Sequence, residues 1–296
     1  MRQPSESSST WRASGISLAD KDPHDRTGDL ARIEAALVAA ADLLEEFHPG
    51  SVASRLKSNH DPVTEADLAL DRLLRDVLIE EEEGWLSEET RDNPDRLGRN
   101  RVWVVDPLDG TKEFVAGIPE WCVAIGLVED GVAVAGGVLN PARRFLALGA
   151  EGKGCTLNGL KTEISASTTL SEARILASRS EVNRGEWAYW VNTGLKIRPM
   201  GSVAYKLAQV ACGLADATWT SVPKNEWDVA AGVALVTAAG GRAVSLDGSA
   251  LRFNRVSTLF PGLIASGEGL LTDIEMALGL RTTWSPGAIP WGDFSV

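Results

Sequence analysis

The sequence predicts an α+β protein built as a layered αβαβα sandwich. Three observations point there. Two helix-spaced segments open the chain after a polar leader, a long block of β-type sequence follows, and strands and helices then alternate to the end.

The first helix reads through "LARIEAALVAAADLLEEF", rich in Ala and Leu, with Thr27 or Asp29 as its cap and "HPGS" as its stop. The second reads through "TEADLALDRLLRDVLIEEEE". Leu70, Leu73, Leu74, Val77 and Leu78 recur there at helical spacing, and Thr64 with Asp67 makes a capping box in which Asp replaces Glu. "GWLSEET" is a short apolar step ending in acids, and a polar loop separates it from the strand "RVWVV". From Trp121 to Ile164 the text is β, with a hairpin marked by "EDG". Beyond it "ARILASRSE" and "ADATWT" read as strands. "SVAYKLAQVACG" and "WDVAAGVALVTAAGG" read as helices, the second with a glycine stop. "GRAVSLDG" is a hairpin arm and "LLTDIEMALGL" a last helix. Residues 29–164 are expected as an N-terminal α+β subdomain and 165–282 as a C-terminal α/β subdomain. Residues 1–28, polar and Ser-rich, are expected as a disordered tail, and 283–296 as a C-terminal tail.

With 296 residues and 44% apolar content, the chain can bury a large core. Its net charge of −12 disfavours nucleic acid polymers and anionic membranes as partners. No apolar run reaches membrane-spanning length, and the N-terminal stretch lacks the apolar core of a secretory signal. Cys122, Cys155 and Cys212 are odd in number and lack metal-ligand spacing. They read as buried, reduced thiols of a cytoplasmic protein.

Candidate chemistry sits in acids at the ends of elements: Asp61 and Asp67, Glu88 and Glu89, Asp106 and Asp109, and Asp228. Each has a plain structural reading. Asp67 caps a helix, "SEE" is a solvated loop, "DPLDG" is a turn, and Asp228 is an acid suited to a helix start. Taken as a set they fit Mg²⁺, which takes six oxygens from carboxylates, water and substrate phosphate. Two such ions lie about 4 Å apart and need a bridging carboxylate. "DPLDGT" at a strand end has the parts for this. Pro107 fixes the chain direction, the turn returns Asp109 beside Asp106 and aims the Leu108 carbonyl inward, Gly110 permits the bend, and Thr111 offers a hydroxyl. Clustered carboxylates imply cations, so an acidic protein can still attract a phosphate ester.

"DPVTEAD", "SEE", "DPLDGTKEF" and "WDVAAG", in this order, resemble the inositol monophosphatase family, whose wider superfamily includes fructose bisphosphatases and 3′(2′),5′-bisphosphate nucleotidases. The resemblance runs from about Leu30 to Leu280. It implies that family's sandwich and a Mg²⁺-dependent phosphomonoesterase acting on a small phosphorylated metabolite. It also implies two to three Mg²⁺ per site, inhibition by Li⁺ and by excess Mg²⁺, and the homodimers common in the family. Carried across by position, Glu88, Asp106 and the Leu108 carbonyl would bind one ion, and Asp106, Asp109 and Asp228 a second. A third would lean on Glu88, and Thr111 with Asp67 would orient the attacking water. Gly110, Thr111 and Asp228 would also face the substrate, and Lys57 lies near a lysine that the family places there. Gly201 and Ser202 resemble a ligand-facing Gly-Ser pair, whose helix start would donate N–H groups; they equally read as plain caps. Ser87 stands where the family usually has Gly.

"DGTKEF" and "SRSE" (Ser178–Glu181) resemble the bisphosphate nucleotidase branch. That makes the 3′-phosphate of adenosine 3′,5′-bisphosphate the group expected to be removed, with inositol 1-phosphate or a related sugar or histidinol phosphate as the alternative substrate. Lys112 and Glu113 also read as a surface salt pair. A haloacid-dehalogenase-type phosphatase would need acids two apart, whereas Asp106 and Asp109 are three apart. A non-catalytic regulator on this fold would lose metal ligands, and every expected acid is present.

Overall fold

The computed structural model describes residues 25–56 and 62–279. Lys57, Asp61 and the expected C-terminal tail lie outside the described residues, as does most of the expected N-terminal tail. The chain runs α1 (Thr27–Leu44), β1 (Ser54–Leu56), β2 (Pro62–Thr64), α2 (Glu65–Leu78), β3 (Gly84–Ser87), β4 (Arg101–Asp109), α3 (Thr111–Val115), β5 (Cys122–Glu129), β6 (Val132–Asn140), β7 (Phe145–Ala150), β8 (Gly154–Leu157) and β9 (Leu160–Thr162). It continues with β10 (Arg174–Ser178), α4 (Arg179–Asn183), α5 (Ala188–Asn192), β11 (Lys196–Met200), α6 (Val203–Ala211), β12 (Ala217–Thr220), β13 (Lys224–Asn225), α7 (Glu226–Ala238), β14 (Arg242–Ser245), β15 (Leu259–Phe260), β16 (Leu263–Ser266) and α8 (Glu268–Ala277).

Strands β3 to β9 form a seven-stranded sheet in chain order, parallel only between β3 and β4. A five-stranded sheet is ordered β11-β10-β12-β16-β14. The alternation of side chains along β4 explains the layering. Trp103 and Val105 join Ile33, Leu37, Leu70 and Leu74 of α1 and α2 on one face. Val102 and Val104 join Leu207, Val229 and Leu235 of α6 and α7 on the other. The second sheet repeats the pattern. Leu176, Leu263 and Ala265 face α6 and α7, whereas Ile175, Ile264 and Trp219 meet Leu270 and Ile274 of α8 in an outer core. The five layers of the expected sandwich are thus present, with α6 and α7 in the middle one.

The burial of α7 follows from its position. Val229 to Val236 are all buried, as expected of a helix apolar on every side. It also lies unusually close to the first sheet. A Cβ on Gly136 would stand 2.5 Å from the Ala231 carbonyl oxygen, so only glycine allows the approach.

Three sequence expectations need correction. Helix α1 begins at Thr27, inside the stretch expected as tail. Buried Arg26 precedes it and pairs with Glu129 at 2.8 Å, anchoring the helix start without a side-chain cap. Strand β4 does not end before "DPLD" but runs through it, with its pairing to β5 disrupted between Asp106 and Asp109. "LIAS" of β16, unassigned from the sequence, is the strand that joins β12 to β14. Among the described residues, no helix is long and apolar enough to cross a membrane. Cys122, Cys155 and Cys212 are free and buried, as expected.

Candidate active site

The break in the β4–β5 ladder builds the centre of the site. Opposite Asp106 the pairing is regular, and it resumes only at Asp109. The intervening residues bulge, as such extra residues do at functional edges. The Asp106 carboxylate turns the bulge by accepting the Leu108 N–H at 3.1 Å. Gly110 then takes φ 99°, and a Cβ there would lie 3.0 Å from the Glu120 carbonyl oxygen. That turn starts α3 with Thr111, whose hydroxyl lies 2.8 Å from Asp67 and 3.0 Å from the Leu108 carbonyl oxygen.

Helix α2 delivers Asp67. The expected capping box is present: the Thr64 N–H and hydroxyl donate to Asp67 Oδ2 at 2.8 and 2.6 Å. The opposite carboxylate oxygen is the one that Thr111 meets. Asp228 arrives in the same manner at the start of α7, where the Asn225 N–H donates to its Oδ2 at 2.7 Å. Glu88 follows β3, and its N–H donates to the Val105 carbonyl at 3.3 Å, which holds it beside Asp106. One carboxylate oxygen each from Glu88, Asp106 and Asp228 lies within 4.8 Å of the others.

Asp109 is placed differently. Its Oδ2 accepts the Ser202 hydroxyl at 2.7 Å and the Ala204 N–H at 2.6 Å, so it anchors the start of α6. Ser202 in turn accepts the Tyr205 N–H, and Gly201 donates its N–H to Glu120 at 2.9 Å. The donors at this helix start thus serve Asp109, Ser202 and Glu120. At these atoms the helix start is capped, one of the two readings given above, and Gly201 and Ser202 also line the cavity.

Burial and mutual repulsion act on the acids together. Burial first, then Glu88, Asp109, Asp228 and Asp67, push the Asp106 carboxyl well above the usual carboxylate range. Burial, then Asp109 and Glu88, push Asp228 up to about 8. A cavity of about 470 Å³ opens over the cluster.

A sequence profile of the inositol monophosphatase family matches residues 25–281. The chain belongs to the inositol monophosphatase family. An inositol-1-monophosphatase of Rhizobium meliloti is 33% identical over 228 residues, 73% of this chain and 84% of that one. Among solved structures, the extragenic suppressor protein suhB from Bartonella henselae superposes with a TM-score of 0.74 at 27% identity, covering 87% of this chain and 100% of the other. CysQ from Bacteroides thetaiotaomicron, a bacterial member of the inositol monophosphatase family, gives a TM-score of 0.68 at 26% identity over 81% of this chain and 97% of the other.

As a member of the inositol monophosphatase family, the protein is a metal-dependent phosphoric monoester hydrolase. The donor set suits the metal. Glu88, Asp106 and Asp228 converge with oxygens only, the choice of a hard divalent cation such as Mg²⁺. Buried acids held above their usual range are also what cations would relieve.

Sequence reading missed the cations of the cavity. Arg179, Arg184, Lys206 and Lys224 line it together with the acids. Lys206 is buried and held down to about 8 by desolvation, and its ammonium donates to the Ser202 carbonyl at 2.8 Å. Glu181 fixes Lys224 at 3.5 Å, and Glu120 pairs with Arg179. "SRSE" and "PKNEWD" contain two of these cations, but only the fold aims them inward. Glu113 is also no surface salt-pair residue. It is 8% exposed, lines the cavity, and burial pushes its carboxyl up.

Proposed function

We propose that this enzyme releases the 3′-phosphate of adenosine 3′,5′-bisphosphate, acting as a 3′(2′),5′-bisphosphate nucleotidase. The observation that carries the reading is the mixed charge of one cavity's lining. Glu88, Asp106, Asp109 and Asp228 line it, and so do Arg179, Arg184, Lys206 and Lys224. Arg179, Arg184 and Lys224 already meet the carboxylates of Glu120, Glu186 and Glu181, and a second ligand phosphate would share them. A bisphosphate supplies one, and the volume suits a nucleotide-sized ligand.

In this reading Glu88, Asp106 and the Leu108 carbonyl would hold one Mg²⁺, and Asp106, Asp109 and Asp228 another, and Glu88 would also serve a third. Bound cations supply charge neutralisation on the phosphate and acidify water. The chain's own residues do the positioning. Thr111 gives its proton to Asp67, which leaves its oxygen lone pairs to accept from the attacking water. Asp67 is kept in place by Thr64, so the dyad is set before substrate arrives. The cations of the cavity orient the second phosphate and so aim the ester bond. Inhibition by Li⁺ belongs to the same reading.

The relatives named inositol-1-monophosphatase favour an inositol phosphate as the second reading. Phosphate release from adenosine 3′,5′-bisphosphate, inositol 1-phosphate, fructose 1,6-bisphosphate and histidinol phosphate, compared as kcat/KM with Mg²⁺, separates the two. The nucleotide should lead. A clear lead for inositol 1-phosphate overturns the proposal.

A further inference from the structure

We propose that Asp71 is a positioning residue that sets the geometry of Glu88, and so the affinity of the site for its metal. The inference rests on Glu88 being a metal ligand. Asp71 lies one helical turn after Asp67 in α2, so both carboxylates project from the same face. It is 7% exposed and stays out of the cavity lining. Each of its oxygens has one partner. Oδ1 accepts the Ser87 hydroxyl at 2.5 Å and Oδ2 accepts the Thr90 hydroxyl at 2.5 Å. Ser87 Oγ then accepts the Glu89 N–H at 3.3 Å.

The two hydroxyls bracket Glu88. One side chain thus clamps the Ser87–Thr90 segment at both ends, while the Glu88 N–H is tied to β4. The segment cannot slide along α2 without breaking a charge-assisted bond. The clamp depends on the hydroxyl of Ser87, which a glycine at that place would lack. It also links the two halves of the site through one helix face. Asp67 fixes the hydroxyl of Thr111, and Asp71 fixes the loop that presents Glu88. Groups that hold a metal ligand from behind commonly change metal affinity about 10- to 100-fold when removed.

The test is Mn²⁺ binding to the full-length protein, followed by electron paramagnetic resonance, beside Mg²⁺-activated turnover. Asp71→Ala should weaken Mn²⁺ binding about 10-fold or more. Combined with Glu88→Gln, it should add little to the loss that Glu88→Gln causes alone. Asp71→Asn, which keeps one acceptor, should fall between. If Asp71→Ala fails to fold, the pair Ser87→Ala and Thr90→Val removes the same bonds from the other side and should give the same coupling to Glu88. Wild-type Mn²⁺ affinity in the folded Asp71 or paired variants, with Glu88→Gln impaired, overturns the positioning role alone. An undiminished effect of Asp71→Ala in the Glu88→Gln background overturns it too. Wild-type affinity in Glu88→Gln itself overturns the metal reading beneath it.

Discussion

The hydroxyl of Thr111 sits 2.8 Å from Asp67, although 44 residues separate them and they belong to different helices. Neither residue gains this partner from its own helix. Thr111 comes from the turn after β4, and Asp67 from the cap of α2. The bond therefore exists only when the α1–α2 layer is docked on the first sheet.

Removing the hydroxyl should damage turnover more than binding, because water orientation matters most in the transition state. Thr111→Ala should lower kcat about 100-fold, within the range of positioned proton acceptors and donors. KM should change by less than about threefold on the same reasoning, and Thr111→Ser should keep most of the rate. Steady-state kinetics at saturating Mg²⁺ decides. A Thr111→Ala enzyme at near wild-type kcat means the dyad plays no part.

The acids make stability depend on metal and pH. Burial holds the Asp228 carboxyl up at about 8 in the folded chain, against 3.8 for an ordinary aspartate. Between those pH values the folded form keeps a proton that the unfolded chain has released. Folding takes up a proton there, so this contribution falls as pH rises from about 4 to 8. With EDTA, Tm should drop across that window, and Mg²⁺ should raise Tm more at pH 8 than at pH 5.5. Asp228→Asn should abolish turnover yet raise the metal-free Tm at pH 8, since an amide can still accept the Asn225 N–H. A metal-free Tm that climbs from pH 5 to 8 would contradict this assignment.

How much of this was legible beforehand differs by residue. Asp67, Glu88, Asp106 and Asp228 were readable as a set and through the family resemblance, since the punctuation beside each one alone reads as a cap, a turn or a loop. The layers were readable from apolar periodicity. What could not be read was direction. Lys206 and Lys224 look like ordinary surface cations in the text, and only the packing of α6 and β13 brings them into the cavity beside the acids. Glu113 was read as solvated for the same reason. Strand β16 was hidden because three apolar residues and a serine between glycines carry no period of their own.

The close seat of α7 on the first sheet is testable through one methyl group. Gly136→Ala would set a Cβ 2.5 Å from the Ala231 carbonyl oxygen, which is backbone and cannot rotate away. The helix must shift, and Asp228 is carried on its first turn. Overpacking of this kind costs about 1–3 kcal/mol. Denaturant unfolding should show that loss, and Mn²⁺ affinity should weaken with it. Unchanged stability would mean that α7 has slack against β6.

The cations of the cavity give the sharpest separation of substrates. Lys224 lines the cavity, and its ammonium lies 3.5 Å from Glu181. Glu181 does not depend on it, because the Thr220 hydroxyl and the Trp187 indole N–H also donate to that carboxylate at 2.6 and 3.1 Å. Lys224→Met should therefore fold, and thermal unfolding checks that it does. A lost charge-assisted bond to the second phosphate is worth about 1.5–3 kcal/mol, so KM for adenosine 3′,5′-bisphosphate should rise about 10-fold or more. Turnover of inositol 1-phosphate, which has no second phosphate, should hardly change. If KM rises equally for both substrates, Lys224 meets the reacting phosphate instead, and the two-phosphate reading of the cavity is wrong.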